Sequence, residues 1–229
     1  IDNGLRQFLH DVENQDGVDR FYVVTDERQK KYIQNREVIV EFGSNRHVKL
    51  LLKASKVITA FIENNNIFPF SQGEYNRYAN KMRFETIYLQ HGVLHIDMPW
   101  KYSPEKIIAD KIVVACDVDY RLFRANGFNE GDLWKIGLSR FDGMNRLGNS
   151  SAKKILYAPS WRNYLVGDNI NGQWQTLEKK FTASRYYARI KDFLESEELN
   201  RLLEEHGYEL DVKMHPIFQK YASSLFKCS

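Results

Sequence analysis

Apolar residues in this chain come in short runs separated by longer stretches of mixed polarity. "FYVVT" (21–25) and "EVIVEF" (37–42) are rich in β-branched and aromatic residues and predict strands. "NRHVKLLLKAS" (45–55) predicts a helix, and "KVITAF" (56–61), "ETIYLQ" (85–90) and "DKIVVAC" (110–116) predict further strands. "VDYRLFRANGF" predicts a short helix closed by Gly127, and "DLWKIG" (132–137) another strand. The runs are continuous rather than alternating, which predicts a parallel sheet buried on both faces. Strands alternating with helices place the chain in the α/β class.

"GMNRLGNSSA" (143–152) interrupts this rhythm with Gly, Asn and Ser and predicts a linker. It divides the chain into a domain over 1–145 and the start of a second, incomplete one over 153–229. The second opens with a strand at "KKILYAP" (153–159), followed by a polar, irregular long loop over 163–183. "RYYARIKDFL" (185–194) sets Tyr187, Ile190 and Leu194 on one helical face. Ser196 is the expected N-cap of "EELNRLLEEH", whose Leu199, Leu202 and Leu203 repeat the helical spacing until Gly207. "YELDVKM" (208–214) predicts a strand ending at His215-Pro216, with a helix in "IFQKYASSLF" beyond it.

A hydrophobic fraction of 43% is enough for a sizeable core, and a net charge of +3 is too small to argue for a nucleic-acid partner. Two cysteines, Cys116 and Cys228, make neither a disulfide framework nor a metal pattern, so the chain reads as intracellular. No run of 18 apolar residues or signal peptide is present, and a chain that opens on Ile1 reads as a segment of a longer protein.

Two predicted strands end in a histidine, His91 before Gly92 and His215 before Pro216. In parallel sheets ligands collect at the carboxyl ends of strands. Gly92 permits a sharp turn and a close approach, and the helix after Pro216 would aim N–H groups at an anion. A packed, hydrogen-bonded histidine gives the same pattern. "YAPSWRN" (157–163) offers Ser160 and Arg162 for a phosphate, or a turn in which Trp161 packs and Arg162 is exposed; "GLSRFDG" (137–143) offers Ser139 and Arg140. His95 lies four residues past His91 without a third metal ligand, so no metal is expected. His10, His47 and His206 stand in charged helical surroundings and read as solvated. Lys179, Lys180, Arg185 and Arg189 read as a solvated helix face, with peripheral contact to an anionic membrane as the functional alternative.

Taken in order, "LQHG", "IGLSRFD", "ILYAPSWR" and "YELDVKMHP" resemble the CDP-glycerol glycerophosphotransferase family of teichoic-acid and capsule polymerases, over roughly residues 85–216. The resemblance implies a GT-B-like fold, two Rossmann-like domains with parallel sheets facing a cleft, the N-terminal one on the acceptor side and the C-terminal one binding the donor. It implies transfer of glycerol phosphate, or another polyol phosphate, from a CDP-activated donor to a growing lipid-linked polymer, with release of CMP. No cofactor is implied, and the place of action is the inner face of the bacterial membrane. His91 and His215 fall on the family's catalytic histidines. Gly92, Ser139, Arg140, Ser160, Trp161, Arg162 and Pro216 fall to the donor and its phosphates. The sequence departs from the family where Val93-Leu94-His95 replaces a small hydroxyl residue and a nearby lysine. "YASSLF" (221–226) also lacks the aspartate of a later phosphate-binding element. Two readings compete: a GT-B glycosyltransferase or epimerase using a nucleotide sugar, and a non-catalytic polymer- or nucleotide-binding module.

Overall fold

Residues 2–14, 16–24, 27–147, 153–170 and 173–221 are described by the computed structural model. They fall into two units, Ile1–Gly148 and Asn149–Ser229.

The first unit opens with helix α1 (Asn3–Glu13), which starts where the Asp2 carboxylate accepts the Leu5 N–H at 2.8 Å. Leu5 and Phe8 on its inner face pack with Ile33. Strands β1 (Tyr22–Val24) and β2 (Ile39–Glu41) pair in parallel, and helix α2 (Asn45–Leu51) follows behind its Ser44 cap. A four-stranded parallel sheet is then built from β3 (Lys56–Thr59), β4 (Glu85–Tyr88), β5 (Lys111–Val114) and β6 (Leu133–Lys135), in spatial order β3-β4-β5-β6. Helices α3 (Asn64–Ile67) and α4 (Gln72–Tyr78) connect β3 to β4, and α5 (Asp117–Ala125) connects β5 to β6.

Side chains alternate across a strand. Tyr88, Ile112 and Val114 therefore enter a core with Phe123 and Phe128 on one face, while Ile87 and Val113 meet Leu89 and Leu138 on the other. Phe123 is fully buried and meets Tyr102 and Phe128 edge-on. This two-faced burial is what the continuous apolar runs of β4 and β5 express.

The second unit contains β7 (Lys154–Tyr157), β8 (Val166–Ile170), β9 (Gln173–Thr176), α6 (Glu178–Thr182), α7 (Arg185–Leu194), α8 (Glu197–His206) and β10 (Glu209–Val212). A 3-10 turn, Pro216–Tyr221, follows β10. β7 pairs in parallel with β10. The core is an aromatic cluster in which Phe181 and Phe218, both fully buried, lie 4.6 Å apart, with Tyr221 stacked on Phe181.

The architecture is thus α/β with parallel sheets, compatible with Rossmann-like units. Four expectations are corrected. Residues 163–183 are not a loop: β8 and β9 form an antiparallel hairpin and α6 supplies Phe181 to the core. Burial on both faces holds for the central strands only: Ile58 of β3 and Trp134 of β6 are exposed, as are Ile155 and Leu156 of β7 in the second unit. The segment after Pro216 is a 3-10 turn to Tyr221; the rest of the expected helix, "YASSLF" beyond Tyr221 and Cys228 lie outside the described residues. On α8, Ser196 caps and Gly207 closes in a left-handed conformation, but Leu202 is exposed and no residue of the helix is buried. The expected linker begins inside a 3-10 stretch (Ser139–Leu147), and its residues 148–152 are outside the described ones.

Candidate functional site

Parallel pairing brings the carboxyl ends of β3, β4, β5 and β6 to one edge, and the first candidate group sits there. His91 follows β4 by three residues, and its ring stacks on Phe61, which leaves β3, with centroids 5.5 Å apart. Phe61 is anchored because its N–H donates to the Thr59 hydroxyl at 3.0 Å. Arg140, beyond β6, reaches back across β5, and its Nη1 donates to the His91 carbonyl at 3.0 Å. Neighbouring strands are about 4.8 Å apart, so only a long side chain spans two of them. His91, Gly92, Ser139 and Arg140 are thereby brought together. Neither ring nitrogen of the exposed His91 has a hydrogen-bond partner among the described residues.

Beneath the turn runs a polar network that the sequence did not announce. Asn3, at the start of α1, is 1% exposed; its Nδ2 donates to the Gln90 carbonyl at 2.7 Å. Its own carbonyl accepts the Ser139 hydroxyl at 2.8 Å, and its Oδ1 accepts the Arg140 N–H. Asn3 thus ties the exit of β4 to the exit of β6. Gln90 is the one non-glycine residue with positive φ among those described, at 61°. Such backbone costs roughly 1–2 kcal/mol for an L-residue. Gln90, not Gly92, therefore makes the sharp turn: Gly92 has no positive φ, and a Cβ added there would meet Arg140 Nη2 at an ordinary 3.7 Å. The Gln90 amide donates to the Val113 carbonyl at 2.8 Å and to Asp119 at 2.6 Å.

Ser139 is accordingly spent on the fold, since its hydroxyl proton goes to Asn3. In this structure that hydroxyl makes a bond within the fold. His95 lies in irregular chain, so the helical i, i+4 pair with His91 is not formed. His47 is buried rather than solvated; its Nδ1 accepts the Gly43 N–H at 3.2 Å, and burial holds its pKa below the ordinary value.

In the second unit β7 and β10 run side by side, so their carboxyl ends carry Ser160-Trp161-Arg162 and His215-Pro216 at one edge. The Trp161 and His215 rings stack with centroids 5.8 Å apart. His215 Nδ1 accepts the Ile217 N–H at 3.4 Å, and its carbonyl accepts the Phe218 N–H at 2.8 Å. The expected anion site at a helix N-terminus is therefore corrected: the turn has only six residues, and its first amides are used by His215 itself. With Nδ1 accepting, the neutral ring carries its proton on Nε2. Burial lowers the His215 pKa, which favours that neutral form. Arg162 gives Nη1 to the carbonyls of Ser160 and Trp161, both at 3.1 Å, and lies over the Tyr186 ring. Its guanidinium is pinned by its own loop.

A recess of about 330 Å³ lies elsewhere in the first unit, lined by Asp11, Asp16, Arg20, Phe21 and Arg46 among others. Its arginines are engaged: Arg20 by both oxygens of Asp16, and Arg46 by the Glu37 carbonyl. Size alone does not make it the site, because it holds none of the strand-end residues. Among the described residues no group of three or more metal-ligating side chains occurs, and no helix is long and apolar enough to cross a membrane. Lys179, Lys180, Arg185 and Arg189 are all exposed.

The chain is similar to a minor teichoic acid biosynthesis protein, GgaB, of Bacillus subtilis (strain 168), with 25% identity over 225 residues. The match takes in 96% of this chain and 24% of that relative, so the chain spans about a quarter of its length. No family model matches the chain. No solved structure matches it either.

Proposed function

We propose that this chain is the transferase part of a protein that builds a teichoic-acid-type polymer, and that it moves a polyol phosphate from a CDP-linked donor to a polymer hydroxyl. The observation that supports this best is the His91 turn. Its backbone is held from below by Asn3 and from the side by Arg140, while its imidazole stays exposed with neither nitrogen bonded among the described residues. A base that must accept a proton needs that arrangement. The likeness to a teichoic acid biosynthesis protein supplies the class of polymer.

In this reading the acceptor oxygen attacks the polyol-bearing phosphorus. A new O–P bond forms, the bridging P–O bond breaks, and CMP leaves with the electron pair. His91 takes the hydroxyl proton. His215, neutral with its proton on Nε2, donates to a phosphoryl oxygen, and Arg140 adds positive charge. We assign Ser160, Trp161, Arg162 and Pro216 of the second unit, and Gly92 of the first, to recognition of the donor. The acceptor is a lipid-linked polymer. We assign its anionic membrane surface to the face carrying Lys179, Lys180, Arg185 and Arg189.

The test is release of nucleotide from CDP-glycerol, CDP-ribitol and UDP-sugars offered in parallel with a polymer acceptor, with the His91→Ala variant alongside. CMP released from a CDP-polyol and abolished in the variant is the expected result. UDP or UMP released from a sugar donor instead would turn the reading to a glycosyltransferase. No donor bound by calorimetry would end it.

A further inference from the structure

Asp119 lies in the first turn of α5 and is fully buried, with no cation bonded to it among the described residues. Three N–H groups converge on its carboxylate. Oδ2 accepts the Ala115 N–H at 2.8 Å and the Gln90 amide at 2.6 Å, and Oδ1 accepts the Leu94 N–H at 3.2 Å. Gln90 and Leu94 are the two flanks of the turn that carries His91, Gly92 and Val93. One carboxylate therefore pins both ends of the turn, and through Ala115 it pins them to the exit of the central strand β5. At the near flank Gln90 holds the left-handed conformation that aims the next residue, and its carbonyl is fixed by Asn3.

We propose that Asp119, acting through Gln90 and the Leu94 amide, is a positioning residue that sets the direction of the His91 imidazole. The inference deepens the function proposed above and rests on His91 being its base. Burial pushes the Asp119 carboxyl above its ordinary value even though the hydrogen bonds pull the other way. A group whose pKa is raised by folding gives its stabilisation below its unfolded pKa and loses it as the pH rises through the folded one. Ionising this carboxyl therefore costs fold stability, which suits a residue retained for what it holds in place.

Asp119→Asn, made in the full chain, separates positioning from bulk stability. An amide can accept the Ala115 and Gln90 donors through its oxygen, but it then faces the Leu94 N–H with its own NH₂. One flank is released while volume and neighbours are kept. The first readout needs no substrate: the imidazole proton shifts of His91, displaced by the Phe61 ring, are expected to move to the values of the exposed His10. The second is the kcat–KM split with CDP-glycerol. Small misplacements of a reacting group can cost on the order of 10²-fold, so kcat is expected to fall by about that factor with KM unchanged. If Asp119→Asn does not fold, Gln90→Asn carries the test, because asparagine tolerates positive φ but cannot reach Asp119. In a folded variant, unchanged His91 shifts and kcat within twofold of wild type would overturn the proposal. Moved shifts in a chain that transfers nothing even as wild type would leave the positioning intact and remove the base.

Discussion

The two histidine turns look alike in sequence and are built in opposite ways. At His91 the protein holds the backbone, through Gln90, Asn3, Asp119 and Arg140, and the ring nitrogens have no partner among the described residues. At His215 it holds the ring, with Nδ1 taken by the Ile217 N–H and one face on Trp161. A group that must gain and lose a proton needs free nitrogens and a fixed base point. A group that must offer one N–H to a phosphoryl oxygen needs a fixed tautomer. The difference fits the proposed chemistry, with His91 as base and His215 as donor.

The largest expected effect breaks the comparison at its first member. His91→Ala should lower turnover by about 10²–10⁴-fold, the usual range for a positioned general base, with donor affinity within twofold. The check is single-turnover CMP release beside calorimetry with CDP-glycerol. Affinity falling as steeply as turnover would move His91 to the donor's binding contacts.

Next in size is a comparison of the cores beneath the two turns. Phe123 and Phe181 are both fully buried at the centre of their aromatic clusters. Truncation to alanine should cost about 3–5 kcal/mol in either place, read as a lowered urea midpoint. Phe181→Ala is expected to disturb the Trp161–His215 pair, since Phe181, Tyr186 and Phe218 share the cluster that Trp161 packs on. Phe123→Ala should leave that pair untouched. Equal loss of the Trp161 signal in both variants would contradict it.

A smaller effect distinguishes donor from base at the second histidine. Losing an oxyanion-type donor typically costs about 10²–10³-fold. His215→Ala should fall in that range, and His215→Gln, whose amide keeps an N–H near the Nε2 position, should recover much of the loss. Glutamine at position 91 should recover none, because an amide is no base. Equal rescue at both positions would erase the distinction drawn between them.

The sequence was most legible where one physical demand dominates. β4 and β5 are continuous apolar runs because both faces are buried, and the caps at Ser196 and Gly207 follow from local backbone needs. The hairpin over 166–176 was missed although a signal existed: Asn171-Gly172 stands between its two strands, the dipeptide most favoured between hairpin strands. Its polar composition outweighed that cue. The local group around His91 and Arg140 could be anticipated from strand ends alone. Its support could not. Asn3 lies 87 positions from Gln90, and nothing in "IDNGL" marks its amide for that carbonyl. Asp119 had a weak mark, an acid in the first turn of a helix behind a strand exit, which is also an ordinary helix-start preference. Long-range polar bonds leave no periodicity, so only the coordinates show them.

The finest test concerns pH, and it compares one histidine of each unit, His47 buried and His215 half-buried. His47 and His215 both accept a backbone N–H on Nδ1, and burial lowers the pKa of each. A histidine whose pKa falls on folding gives stability that is complete above its unfolded value of about 6.5 and is lost as the pH falls through the folded one, because the unfolded chain then binds the extra proton. Urea midpoints should therefore be flat above about pH 7 and decline toward pH 5.5. His47 is 3% exposed and His215 half-buried, so the decline should be steeper in the first unit. Trp100 and Trp134 report on that unit, and Trp161 and Trp174 on the other, so tryptophan-to-phenylalanine pairs isolate each transition. His47→Gln should flatten the acid limb of the first unit only. A decline in that unit that survives the substitution would mean its carboxylates, not His47, carry the acid sensitivity.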